Sequence, residues 1–263
     1  MKSINPTVQH VVSQLVQEKD EVTRYNFFRQ CLTTMSRFWR YSLGNQMLIF
    51  KQNPDASKIA GFNKWKKLGR NVKRGQESIK ILAPVTLTHE NDQGDEEEVV
   101  HFKPISLFDI SQTYGEEILE EKHLEDKAEL LNYLVEFCQA KDIDVNFEHL
   151  AEKGLYGSSS GGSIQIASDV SKNSQTDRLL HEIAHEILHF SQDGKILPKD
   201  QQEIQADATA YVVCTHFGLE PPTIDHLALQ GSVENITTNL DCVARASRQI
   251  IDFVSFISGG VAQ

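Results

Sequence analysis

Apolar residues near the start of the chain recur with the helical period. Val8, Val11, Val12, Leu15 and Val16 predict a first helix, capped by Asn5 or Thr7, and Phe27, Phe28, Cys31, Leu32 and Met35 predict a second. A short third helix over 45–50 follows Ser42. The pattern then changes. Residues 79–87 and 99–108 read as two strands, joined by an acidic, polar hairpin loop over 90–98. Leu130, Leu131, Leu134, Val135 and Cys138 form a helical stripe within 127–141, and Ser163-Ile164-Gln165-Ile166-Ala167-Ser168 alternates as a strand does. Helices are predicted from the Ser174-Gln175-Thr176-Asp177 capping box through 190, over 198–213 with Pro198 near the first turn, and over about 233–257. Residues 116–126 are rich in acids and poor in core residues. The pattern predicts an α+β chain of two domains, 1–115 and 127–263, joined by an acidic linker over 116–126.

Charge sharpens this division. The net charge is −11, yet residues 24–85 hold 13 Lys and Arg against only Asp55 and Glu77. The remainder has 13 bases against 35 acids. An acidic chain that keeps one basic block predicts a polyanionic partner for it. Both tryptophans fall in this block. Stacking of unpaired bases on aromatic rings, with cationic side chains along the phosphates, is how single strands are held. Trp39, Tyr41, Phe62 and Trp65 are therefore expected to stack, and Lys64, Lys66, Lys67, Arg70, Lys73 and Arg74 to contact phosphates. The competing reading makes the two tryptophans core anchors.

Of the 263 residues, 40% are hydrophobic and 24% charged, which fits a soluble globular protein. No apolar run reaches the length of a membrane span, and residues 1–6 have no signal-peptide character. Cys31, Cys138, Cys214 and Cys242 are widely spaced and predict reduced thiols in a cytoplasmic protein.

The chemistry concentrates in Leu179-Leu180-His181-Glu182-Ile183-Ala184-His185-Glu186-Ile187-Leu188-His189-Phe190. On a helix His181 and His185 share a face and can offer two ring nitrogens to one Zn²⁺, one ion per chain. Such an ion lowers the pKa of its water to about 7, and Glu182 stands next to it as general base. His185-Glu186-Ile187-Leu188-His189 is an overlapping second copy, so this spacing alone leaves the register open. Downstream, Glu203 and Asp207 lie one helical turn apart.

That pair resembles the Glu-x-x-x-Asp of gluzincins, which implies Glu203 as third ligand and Asp207 as the brace of a ligand histidine. The 17 residues between His185 and Glu203 leave room for a turn at Asp193-Gly194, whereas His189 leaves 13, so the first register is expected. His189 is then too far along the axis to join the ion. The motifs Phe38-Trp39-x-Tyr41-Ser42, Asn45-Gln46-x-Leu48-Ile49, Gly61-Phe62-x-x-Trp65-x-x-Leu68-Gly69-Arg70-x-Val72-x-x-Gly75 and Leu107-Phe108-Asp109-Ile110-Ser111-Gln112-Thr113 resemble the N-terminal domain of ArdC-type antirestriction proteins over about 8–115. The rest is similar to that family's zincin domain, related to the ImmA/IrrE metallopeptidases. The resemblance implies single-stranded DNA as partner, a protein or peptide substrate, and strand 163–168 where zincins place the edge strand that pairs with substrate. It leaves as alternatives a DNA-coating shield with an inactive zinc site, a repressor-cleaving peptidase like ImmA, and a DNA-associated protease like SprT. No motif names an oxyanion stabiliser among Tyr211, His216 and His226.

Overall fold

The computed structural model describes residues 6–90, 96–118, 124, 126–150, 154–190, 197–224 and 232–259. Most of the expected acidic linker and the 90–98 loop, the turn at Asp193-Gly194, and His226 lie outside them. No helix among the described residues is long and apolar enough to cross a membrane.

The chain folds as two compact units, one of residues 1–43 and 120–263, the other of 44–119. The packing boundary therefore falls near residue 43 as well as at 120, rather than at 115 alone. Its cause lies in the first two helices. In α1 (Pro6–Gln17), Val8, Val11, Val12 and Leu15 are buried; in α2 (Glu21–Arg37), capped by the Asp20 side chain, Phe28, Cys31, Leu32 and Met35 are buried. These stripes pack on helices from the far end of the chain: α1 on α8 (Val233–Ile257) and α2 on α7 (Lys199–His216).

Two more helices complete this unit. Asp126 caps α5 (Lys127–Ala140), which packs on α6 (Lys172–His189), and α6 in turn packs on α7. The α6 N-cap is Ser171, whose hydroxyl accepts from the Ser174 N–H, so the helix starts before the expected 174–177 box. Leu179, Leu180, Ile183 and Ala184 of α6 are fully buried. Against α6 lies a small sheet of β6 (Asp144–Glu148), β7 (Gly157–Ser159) and β8 (Ser163–Ala167), in the order β6-β8-β7. β8 runs parallel to β6 and antiparallel to β7. The strand expected as the substrate edge, 163–168, is thus central, with both sides taken by ladder hydrogen bonds; β6 and β7 are the edges.

The second unit is built on a hairpin of β3 (Ile79–Glu90) and β4 (Glu96–Asp109), in register from Ile79↔Leu107 to Glu90↔Glu96. Short β1 (Ile59–Ala60) pairs with the other side of β4. Helix α3 (Leu43–Gln52) lies along β3, where the Asn45 and Gln52 amides each bond both the N–H and C=O of one strand residue, Leu82 and Lys80. These amides occupy the β3 backbone where a neighbouring strand would. Helix α4 (Phe62–Lys67) buries Trp65, and β2 (Arg70–Val72) pairs with β5 (Thr113–Gly115).

Candidate metal centre and basic surface

The helical period brings His181 and His185 together at the middle of α6, and the first turns of α7 bring Glu203 to them. His181 Nε2 lies 3.0 Å from His185 Nε2 and 3.1 Å from a Glu203 carboxylate oxygen, and His185 Nε2 lies 3.8 Å from the other oxygen. One ligand atom from each falls within 4.8 Å of the others. Donors about 2.0–2.1 Å from a tetrahedral ion stand about 3.3 Å apart, so three donors at these spacings fit one divalent cation.

The surroundings decide the role of each neighbour. Asp207 Oδ1 lies 2.8 Å from His181 Nδ1, which leaves Nε2 for the centre. Burial disfavours the charged form of His181, but the Asp207 and Glu182 carboxylates together outweigh it and the net pKa shift is upward. Burial, with the His181 and His189 rings beside it, pushes the His185 pKa down to about 3, so its ring is neutral at any ordinary pH.

Glu182 is 5% exposed; burial raises its pKa, opposed by His181 and by a hydrogen bond from Ser159 of β7. Glu186 is engaged elsewhere. Its two oxygens accept from the Gly161 and Gly162 N–H groups at 2.9 and 2.7 Å. Both glycines have positive φ, as the two-residue turn between β7 and β8 requires. Glu186 therefore pins the hairpin, and the overlapping motif copy loses its carboxylate to structure. His189 turns its ring from the centre toward His185 Nδ1 and Gln205.

Three neighbours had no motif to reveal them: Ser159, Gln205 and Arg178. Arg178 lies one turn ahead of Glu182, near enough to influence Glu182, His181 and His185 electrostatically. Its aliphatic stem crosses β7 where a Cβ on Gly157 would stand, so a side chain at 157 would displace it. Of the three residues that no motif marks as an oxyanion stabiliser, the Tyr211 hydroxyl accepts from Arg29 and His216 Nδ1 donates to the Ser36 carbonyl, so both are tied to α2.

The basic block is less uniform than its sequence. Trp65 is 2% exposed and donates its indole N–H to the Phe108 carbonyl at 2.8 Å. Trp39 is 7% exposed, edge-on to His216 with the Arg40 guanidinium over its ring, in the other unit. The expectation that these two rings stack on bases is corrected: both are core residues, and neither offers a free face. Tyr41 is half-buried, and burial raises its pKa.

Phe62, at 54% exposure, and Lys64, Lys66, Lys67, Lys73 and Arg74 are at the surface. Arg70 donates to Thr113 and to the Glu116 carbonyl, and Lys73 Nζ to the Ser111 carbonyl, so both also fasten the segment around β5. The exposed Tyr114 of β5 lies outside the basic block and escaped the charge argument.

With a buried His-Glu-x-x-His helix, a carboxylate from the next helix and a small sheet beside it, the larger unit has the layout of a zincin-like metallopeptidase. Comparison with known proteins agrees. Residues 2–112 match the family model of the N-terminal domain of anti-restriction factor ArdC, and residues 138–215 match the IrrE N-terminal-like domain of the M78 peptidases. The chain thus joins an ArdC N-terminal domain to an IrrE-like peptidase domain. Crystal structures of the antirestriction ArdC protein from plasmid R388 have the same fold. The metal-free form aligns over 95% of this chain and 98% of its own, at 16% identity and TM-score 0.57; the Mn(II)-bound form aligns over 94% and 98%, at 15% and 0.53. An uncharacterized Bacillus anthracis protein, pXO2-81, is 24% identical over 71% of this chain, which spans only 39% of that relative's length.

Proposed function

We propose that this chain is an antirestriction-type protein of a mobile element that binds single-stranded DNA and carries a zinc-dependent peptidase centre. The observation that carries the reading is the convergence of His181, His185 and Glu203 beside a buried Glu182. A bound Zn²⁺ would supply Lewis-acid polarisation of a scissile carbonyl and acidify water. Glu182 takes the proton from the attacking water and delivers it to the leaving amine. Asp207 orients His181. The open edge of β7 takes an extended peptide as an added strand, with exposed Leu155 and Tyr156 just ahead of it as an apolar shelf. The R388 relative has an Mn(II)-bound form, which supports reading this chain as binding a divalent ion.

Single-stranded DNA lies along the basic unit, with Lys64, Lys66, Lys67 and Arg74 on phosphates and Phe62 and Tyr114 as stacking faces. The four unpaired cysteines are in keeping with a cytoplasmic protein that meets incoming DNA. Cleavage of a protein bound to single-stranded DNA, measured with and without the DNA, tests the whole. Wild type with Zn²⁺ should cleave, and Glu182→Gln should bind Zn²⁺ and DNA normally yet cleave nothing. A Glu182→Gln protein as active as wild type would refute the catalytic assignment.

A further inference from the structure

We propose that His189 and Gln205 are positioning residues that fix the proton of His185, so that its Nε2 lone pair faces the metal centre; the inference rests on the metal reading above. A line of hydrogen bonds crosses three helices. Gln205 Nε2 donates to Asn239 Oδ1 of α8 at 2.8 Å, Gln205 Oε1 faces His189 Nε2 at 3.0 Å, and His189 Nδ1 faces His185 Nδ1 at 2.9 Å. Gln205 is fully buried and Asn239 nearly so.

Each link dictates the next. With its NH₂ given to Asn239, the Gln205 amide presents only a carbonyl oxygen to His189, so His189 Nε2 carries the hydrogen. A neutral imidazole has one N–H, which makes His189 Nδ1 an acceptor. Two acceptor nitrogens cannot hydrogen-bond, so His185 Nδ1 carries its own hydrogen and Nε2 holds the lone pair. That is the ligand form of histidine, and an outer partner of this kind commonly sets it.

With Asp207 on its Nδ1, His181 would take the same form once a metal displaces the proton from its Nε2. The two metal histidines would then share one tautomer enforced by different acceptors, one charged and one neutral. The neutral relay adds no further anion to a centre that already has Glu182, Glu203 and Asp207 around it.

Long-range ¹H–¹⁵N spectra of the metal-free 263-residue chain read the tautomers directly. The expected pattern is His185 protonated at Nδ1 and His189 at Nε2. Zn²⁺ affinity by chelator competition gives the second reading. His189→Leu and Gln205→Leu should each weaken Zn²⁺ binding by about 10–100-fold. His189→Asn, whose amide oxygen can accept in place of Nδ1, should recover most of it. A His185 proton on Nε2, or a folded His189→Leu protein that binds Zn²⁺ as tightly as wild type, overturns the relay. Should the leucine variants fail to fold, the wild-type spectrum still decides. A wild type that takes up no Zn²⁺ would defeat the metal reading, and the tautomer pattern would still judge the relay.

Discussion

The two units carry their candidate chemistry in opposite ways. In the helical unit the site is made of buried side chains, each held by a second hydrogen-bonded group: Asp207 on His181, His189 on His185, Ser159 on Glu182. In the unit of 44–119 the candidate contacts are exposed side chains around a buried tryptophan. A metal needs donors fixed to within a few tenths of an ångström, whereas a flexible polyanion needs charge and reachable aromatic faces. Buried precision and exposed charge therefore respond to substitution differently.

The sharpest break in that comparison is expected at Trp65. Trp65→Ala removes a core ring and leaves the Phe108 carbonyl without its donor, so it should cost about 3–5 kcal/mol of stability. The outcome is read from the melting of the variant, with an unshifted melt accompanied by lost DNA affinity returning Trp65 to the stacking role. Glu186→Ala comes next. Loss of the two hydrogen bonds to this carboxylate, which keeps some access to water, should cost about 1.5–3 kcal/mol in all, with loosening of the 157–167 hairpin visible by hydrogen exchange and Zn²⁺ retained. Loss of the metal in that variant, with the fold intact, would place Glu186 in the ligand set.

The exposed ring should behave in the opposite sense to Trp65. Phe62→Ala is expected to leave the melt nearly unchanged and to weaken single-strand binding by about 1–3 kcal/mol with little change in salt dependence. The smallest effect belongs to neutralising Lys66 and Lys67. It should flatten the slope of log K against log salt by about 0.7 per lost phosphate contact, and an unchanged slope would move the DNA path off α4.

The same contrast explains what the sequence revealed. The convergence of His181, His185 and Glu203, with Asp207 on His181, follows from the 3.6-residue period and one helix–turn–helix distance, both local properties, so these residues could be placed together from spacing and resemblance. Loop length, 17 residues against 13, favoured the first register over the overlapping copy but gave Glu186 no role. What separates Glu182 from Glu186 is the pair of N–H groups at Gly161 and Gly162, which reach Glu186 only through the tertiary fold. Trp65 illustrates the converse failure. A tryptophan among lysines has the same composition whether it faces a base or the core, and only its hydrogen bond to Phe108 decides. The stripes of α1 and α2 predicted helices correctly, but an apolar face does not name its partner. Theirs lies on α8 and α7, more than 150 residues away in the chain, although the ArdC domain match begins at residue 2.

His181, His185 and Glu203 are expected to hold one divalent metal. Metal content of purified wild type and of Glu203→Ala, measured after equilibration with Zn²⁺ and removal of the excess, tests it most directly. Wild type should retain about one ion per chain, and Glu203→Ala, left with two protein ligands, should lose it while keeping its helical content. Full Zn²⁺ retention in a folded Glu203→Ala protein would contradict the account.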